Sequence, residues 1–392
     1  MYAFNAFVLV LVALFSFANA LPLGHGHIRR SCPHNARASA LSAIESASSA
    51  ASSAESTPLS STVPSSSSSA VPTATSSKAA ASHSASAPSS SASSAKATAT
   101  RSATNNAVTG SLLGALFPIA QPSTSWTTLQ GISGALSLSD STFNPDHVLS
   151  SLTHNYVASP GSDSKLSMQA HYPKGSYTFG HQPQGGISFY APGPSDVDLT
   201  TAKEATFGYS VMFDEGFDWN KGGKLPGLYG GDDATVAVSC SGGRRSDACF
   251  SARLMWRTDG QGELYTYLPP YTDSRFAANE KQCSVAPKSE CNPTYGASVG
   301  RGSFSFEAGK WTTVSQRVRL NDVGQANGEL ELFANGESVV KVDGLILRAS
   351  DAGRLRGIQM QTFFGGSTSD WASPKDQNTY FSDFSMAITE KL

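Results

Sequence analysis

Ser251-Ala-Arg-Leu-Met-Trp-Arg-Thr-Asp-Gly-Gln-Gly-Glu-Leu-Tyr-Thr-Tyr-Leu268 is the stretch on which the fold turns. Phe250, Ala252, Leu254 and Trp256 alternate with Ser251, Arg253 and Met255. Beyond a short polar segment, Leu264, Thr266 and Leu268 alternate with Glu263, Tyr265 and Tyr267. Side chains on a strand point to opposite faces with period two, so the pattern predicts two strands, each apolar on its even-numbered residues. Thr258-Asp-Gly-Gln-Gly262 between them has hairpin-turn chemistry. With Thr258 opposite Gly262, Arg253 pairs with Tyr267 and Met255 with Tyr265. Directly opposed residues share a face, their Cβ atoms about 5 Å apart, and a one-residue slip would set apolar residues against polar ones. The odd-numbered face then collects Ser251, Arg253, Arg257, Tyr265 and Tyr267. Antiparallel sheets commonly give their second face to water, so a plain solvated face is the ordinary alternative to a site.

The same period recurs at Thr206 to Phe213, Trp311 to Leu320, Gly328 to Phe333, Gly357 to Phe364 and Tyr380 to Ile388, and a further strand is expected at Ala234 to Val238. Ala334-Asn335-Gly336 marks a hairpin between Glu329–Phe333 and Glu337–Val342. Short helices or turns are expected near Asp146 and Ser350-Asp351, and long amphipathic periodicity is absent. Many short strands joined by glycine-rich turns predict an all-β fold, a jelly-roll β-sandwich of antiparallel sheets with a concave cleft.

The chain has 392 residues and a net charge of −2, without the basic excess of a nucleic-acid-binding protein. Residues 1–20 read as a secretory signal: Phe7 to Phe17 is a short apolar run and Ala18-Asn-Ala20 a small-x-small cleavage site, although no Lys or Arg precedes the run. That run is too short to span a membrane comfortably, and no other stretch could. Residues 21–105 are dominated by Ser, Ala and Thr, a composition that cannot bury a core; they read as a disordered tail or an O-glycosylated stalk. Arg29-Arg30 is a potential processing site, and His25 and His27 are a chance pair. Residues 106–392 carry the composition of one folded domain. Cys240 with Cys249 and Cys283 with Cys291 are the simplest disulfide pairings, leaving Cys32 in the tail, and they fit an oxidising, extracellular location. Metal binding is the weaker reading, because no His stands at ligand spacing beside either pair.

Chemistry gathers at Asp214-Glu-Gly-Phe-Asp-Trp-Asn-Lys-Gly-Gly-Lys-Leu-Pro-Gly-Leu-Tyr-Gly-Gly231, where Lys224 stands after two glycines and before Pro226, as if presented from a rigid turn. This stretch resembles the Gly-Gly-Lys-Leu-Pro-Gly-Leu-x-Gly-Gly segment of polysaccharide lyase family 14 and the related glucuronan lyases. Ser251-x-Arg253 with Tyr265-x-Tyr267 resembles the family's active-site pattern. Phe363-Phe-Gly-Gly-Ser367, Trp371-Ala-Ser-Pro-Lys-Asp376 and Tyr380-Phe-Ser-Asp-Phe384 resemble its C-terminal strand region. The resemblance runs from about 110 to 392, leaving the tail and the Cys283–Cys291 loop outside. It implies a jelly-roll enzyme that cleaves acidic polyuronides, of alginate or glucuronan type, by β-elimination. The catalytic positions it carries over are Lys224, Ser251, Arg253, Tyr265 and Tyr267.

Elementary chemistry agrees with that implication. Elimination across C4–C5 of a uronate needs a cation to neutralise the carboxylate, a base for the C5 proton and an acid for the departing O4. Lys224 or Arg253 supplies the cation, Arg bidentately. Tyr267, opposite Arg253 in the expected register, is the expected base, because a neighbouring cation favours its phenolate. Tyr265 is then acid or orienter, and Ser251 an orienter. Lys221, Arg257, Gln359 and Gln361 are candidate sugar binders. No metal or cofactor is required, and a monomer suffices. A glycoside hydrolase would need two carboxylates about 5 to 9 Å apart, for which Asp214, Glu215 and Asp218 are the nearest cluster, in a loop. Glu263 shares the tyrosine face without an evident carboxylate partner. A carbohydrate-binding module would need the cleft but not both a cation and paired phenols.

Overall fold

The structure, a computed structural model, describes residues 111–161 and 165–392. The expected signal, the Ser-rich tail, Cys32 and the histidines near the N-terminus lie outside the described residues. Among the described residues fifteen strands form two sheets. In chain order they are β1 (Ser125–Thr127), β2 (Asn155–Ala158), β3 (Leu166–Tyr172), β4 (Ile187–Ala191), β5 (Ala202–Phe213), β6 (Gly222–Gly231), β7 (Cys249–Arg257) and β8 (Gln261–Tyr267). Then follow β9 (Glu290–Cys291), β10 (Ala297–Ser305), β11 (Trp311–Arg319), β12 (Gly328–Ala334), β13 (Glu337–Leu345), β14 (Arg354–Phe364) and β15 (Gln377–Lys391). One sheet runs β13-β12-β11-β5-β15-β3-β2, with β1 on β15; the other runs β4-β14-β6-β7-β8-β10-β9. Every pairing is antiparallel. This is the expected β-sandwich. Among the described residues no helix is long and apolar enough to cross a membrane.

The two inner faces interdigitate through aromatic side chains. Trp256, from the quoted stretch, is fully buried and meets Phe364 at 5.2 Å, Phe213 at 5.5 Å, Tyr172 at 5.9 Å and Phe217 at 5.9 Å. Rings of this size dominate the burial energetics of a core. They lie directly beneath the strands that carry the candidate site, so the odd-numbered face stands on a rigid floor.

Two local features depart from expectation. Ala234–Ala237 is a helical turn rather than a strand: Asp233 caps it, its carboxylate accepting from the amides of Thr235 and Val236 at 2.8 Å each. Lys224 lies inside β6, not on a turn. Pro226 has no N–H to give the ladder, and β6 bulges there, its register against β7 shifting between Leu225 and Gly227. The facing sheet repairs the break. Gln316 of β11 donates to Ala252 O (3.0 Å) and accepts from Leu228 N (2.8 Å), while the Tyr209 hydroxyl donates to Pro226 O (3.1 Å). The extra residue flips the parity of β6, so Leu225 and Leu228 both enter the core and Lys224 and Tyr229 both face outward. Gly227 is obligatory at this point, because a Cβ there would stand 2.1 Å from Ala252 O.

Candidate active site

The outer face of the second sheet carries the expected residues in ordered rows. One row crosses six strands as Tyr190, Gln359, Gly227, Arg253, Tyr265 and, on β10, Ser298. The next is Phe363, Lys224, Met255 and Glu263, and a third is Tyr229, Ser251 and Tyr267. The faces are as expected, but the β7–β8 register is displaced by two residues: Arg253 opposes Tyr265, Ser251 opposes Tyr267 and Met255 opposes Glu263. The connection is wider than a tight hairpin because its neighbours hold it open. Gly260 O accepts from Phe306 N at 2.8 Å, and Thr258 Oγ1 donates to Asn220 O at 3.0 Å. A shift of two preserves the faces and changes the partners. The reason for singling out Tyr267, its place opposite Arg253, therefore passes to Tyr265.

Nor is the face open to water. Arg253 is 2% and Lys224 7% exposed, and Ser251, Tyr265 and Tyr267 are buried too. Loops fold over them. The segment between Cys240 and Cys249 lies against Tyr267 and Ser251. A Cβ on Gly296 would strike the rings of both Tyr265 and Tyr267, and one on Gly365 would reach Lys224 Nζ. The loops carrying Gly296 and Gly365 meet where Tyr295 Oη donates to Ser367 Oγ at 2.8 Å.

The electrostatics of this covered face are one-sided. Lys224 Nζ lies 3.1 Å from Met255 Sδ and 4.0 Å from the Tyr265 ring centre. Arg253 donates from Nη1 to Gln361 Oε1 at 3.2 Å, and its Nε has no partner. Among the described residues neither cation has a carboxylate within salt-bridge reach; the one acid on the face, Glu263, is taken by Arg257 (2.7 Å) and Arg301 (2.9 Å), and accepts from Ser298 Oγ at 2.5 Å. Its partners are thus two arginines, not a second carboxylate. A buried charge without its counter-ion costs several kcal/mol. Burial, and then Arg257 and Arg253, hold the Lys224 ammonium well below the ordinary lysine pKa. Burial lowers Arg253 as well, though a guanidinium stays protonated in proteins. Burial raises Tyr265, as does neighbouring Tyr267, against the opposing pull of Arg257 and Arg253. Burial thus favours the neutral form of both neighbours, the Tyr265 phenol and the Lys224 amine.

That amine makes stability depend on pH. The unfolded chain keeps Lys224 protonated up to about pH 10.4, whereas the folded chain sheds that proton at lower pH. The unfolded state binds more protons in this window, so stability rises with pH. The gap between wild type and Lys224→Met should narrow from pH 7 to 9.5 by up to about 1.4 kcal/mol per unit. Thermal melts at stepped pH check this; parallel curves for the two proteins refute it.

The remaining candidates divide. Gln359 and Gln361 join the constellation: Gln359 Nε2 donates to Gln361 Oε1 (2.8 Å) and to Tyr190 Oη (3.1 Å). Arg257 reaches it from the rim, 5.8 Å from the ring centres of Tyr265 and Trp371. Lys221 stays apart, half-exposed and ion-paired with Asp370. Asp214 and Asp218 hold backbone amides, of Asn378 and Asn220, and form no catalytic pair. Sequence reasoning missed Tyr190, Tyr229 and Trp371; Tyr190 alone had a signal, the alternation of Ser188 and Tyr190 with apolar residues in β4. Disulfides join Cys240 to Cys249 and Cys283 to Cys291; the second staples β9 to the 3-10 segment Ser274–Ser284 at the sheet edge.

The arrangement can take up a carboxylate, accept a proton and deliver one. A model of the family described as polysaccharide lyase 14 matches residues 160–384. The chain belongs to polysaccharide lyase family 14. As a family 14 member it is a polysaccharide lyase. Among solved structures it is similar to the PL-14 alginate lyase of Aplysia kurodai, with 35% identity and a TM-score of 0.53 over 62% of this chain and 90% of that one. It is also similar to the alginate lyase vAL-1 from Chlorella virus, with 25% identity and a TM-score of 0.50 over 63% and 93%. No curated protein sequence matches this lyase significantly.

Proposed function

We propose that this lyase cleaves an acidic polyuronide, of the alginate or glucuronan type, by β-elimination on the outer face of β6, β7 and β8. The observation that carries this reading is Arg253, a buried guanidinium that lacks a carboxylate of its own, beside the buried Lys224 amine. A uronate carboxylate supplies the missing charge. Arg253 holds that carboxylate, with Gln361 and Gln359 fixing the guanidinium, and its charge lowers the cost of removing the C5 proton. Lys224, whose ammonium form burial disfavours, is the base that takes that proton. The C5 electron pair forms the C4=C5 double bond as the C4–O4 bond breaks, and Tyr265 gives its proton to the departing O4. Tyr267 hydrogen-bonds the Tyr265 phenolate that results, and Ser251 steadies the row. Lysine therefore replaces Tyr267 as the base, for the depressed ammonium suits proton uptake and the raised phenol suits proton delivery.

Base and acid are in contact, so they address one face of a sugar ring. This favours uronates whose C5 hydrogen and O4 lie on the same ring face, as in D-mannuronate and D-glucuronate, over L-guluronate. The test is a panel of polymannuronate, glucuronan, polyguluronate and a neutral glucan. The expected product is an unsaturated, ultraviolet-absorbing chain end from the first two. New reducing ends without ultraviolet absorbance would mean a hydrolase, and binding without products a carbohydrate-binding module.

The same proposal takes the protein as secreted and active as a monomer; the two disulfides support the first, and a site drawn from one chain the second. Catalysis is assigned to the domain beginning near Asn106. A chain starting there should match the full-length protein in kcat on soluble polymer and in melting temperature. A large loss in either would move the boundary.

A further inference from the structure

We infer that the loop closed by the Cys240–Cys249 disulfide is a positioning element of the active site, and that Gly243 is the residue by which it sets the Tyr267 hydroxyl. The inference rests on the proposed roles of the tyrosine pair. Gly243 N donates to Tyr267 Oη at 3.1 Å. At the base of the loop, Cys240 O accepts from Ser251 Oγ at 2.7 Å, two residues beyond the disulfide partner Cys249. Arg245 places its guanidinium carbon 5.6 Å from the Tyr267 ring centre, and donates to Asn292 O (2.8 Å) and Pro293 O (3.1 Å). The loop thus touches both members of the Ser251–Tyr267 row and ties them to the strap over the tyrosines.

Apart from the arginine contacts, Arg244 to Ser239 O and Arg245 to Asn292 O and Pro293 O, the loop has little to fix its backbone. Ser241-Gly-Gly-Arg-Arg-Ser246 has no apolar side chain to bury, and Gly242 and Gly243 stand at φ 59° and 88°, where glycine is free to move. The backbone at Gly243 is tightly fitted all the same, since a Cβ there would lie 2.7 Å from Thr294 O. The disulfide closes the loop that sets this amide on the Tyr267 hydroxyl. An N–H donated to the Tyr267 oxygen polarises its O–H and makes it a better donor in turn. The acceptor is Tyr265, at the moment its proton passes to O4. Reduction of the disulfide then lowers turnover, confining full activity to oxidising surroundings.

Four proteins test this: wild type, Cys240→Ala/Cys249→Ala, Tyr267→Phe and the triple variant, compared in kcat and KM on a polyuronide that the wild type cleaves. The disulfide-free protein should lose about tenfold or more in kcat with KM little changed, as a small misplacement of a catalytic group does. The triple variant should be no slower than Tyr267→Phe. Full kcat without the disulfide overturns the proposal, and so do losses that multiply in the triple variant. If the disulfide-free protein does not fold, Gly243→Ala serves in its place, since it keeps the disulfide while the clash of its Cβ with Thr294 O drives the amide off Tyr267. An unchanged rate in Tyr267→Phe refutes the assigned role of Tyr267 and the proposal with it. A slow Tyr267→Phe beside loop variants at full rate refutes the proposal alone.

Discussion

Arg253→Ala should lower kcat on a polyuronide by about 10²- to 10³-fold, the range for removing one preorganised donor from a developing oxyanion, while KM rises far less. The guanidinium has one side-chain partner, Gln361, and an unpaired Nε, so most of its donors are free for the substrate. The uronate carboxylate gains charge as the C5 proton leaves, and a fixed cation is worth more to that state than to the resting carboxylate. Arg253→Lys keeps the charge and loses the planar fork, so it should recover part of the rate. Steady-state kinetics on the best polymer of the panel, with folding checked by circular dichroism, decide it. A variant that loses binding but keeps kcat would mean that Arg253 holds substrate without serving the elimination.

The faces of the site were legible because strand periodicity is local. Ser251, Arg253, Tyr265 and Tyr267 sit on one side of two strands whichever even register is chosen. What fixed the register was not local: the widened connection is held by Phe306 and Asn220, both distant in sequence from its centre. Lys224 was legible as chemistry and misread as geometry. Its outward direction comes from a bulge at Pro226 that Gln316 and Tyr209 support from the opposite sheet. The burial of the face was likewise hidden, because it depends on loops that meet only in the folded protein, through Tyr295 and Ser367. That burial changes the chemistry. In water Lys224 would be an ordinary ammonium; under the loops, beside two guanidiniums, its ammonium form is disfavoured.

Tyr265→Phe should lose on the order of 10²- to 10⁴-fold in kcat, the usual contribution of a general acid, whereas Tyr267→Phe should lose about tenfold to a hundredfold, as a group that only steadies the acid. The difference follows from position. Tyr265 stands opposite Arg253, with Lys224 Nζ 4.0 Å from its ring centre and Arg257 5.8 Å away. In the proposed mechanism these cations stabilise the phenolate left when the proton goes to O4, while burial favours the protonated phenol beforehand. Tyr267 lies one row further along, opposite Ser251 and bound to the Gly243 amide. The two variants also separate by leaving group. If Tyr265 is the acid, a substrate whose aglycone leaves without protonation should restore much of the lost rate in Tyr265→Phe and nothing in Lys224→Ala, because the C5 proton must still be taken. Rescue of Tyr267→Phe instead would exchange the roles of the two tyrosines, and rescue of neither would remove both from the proton-delivery step.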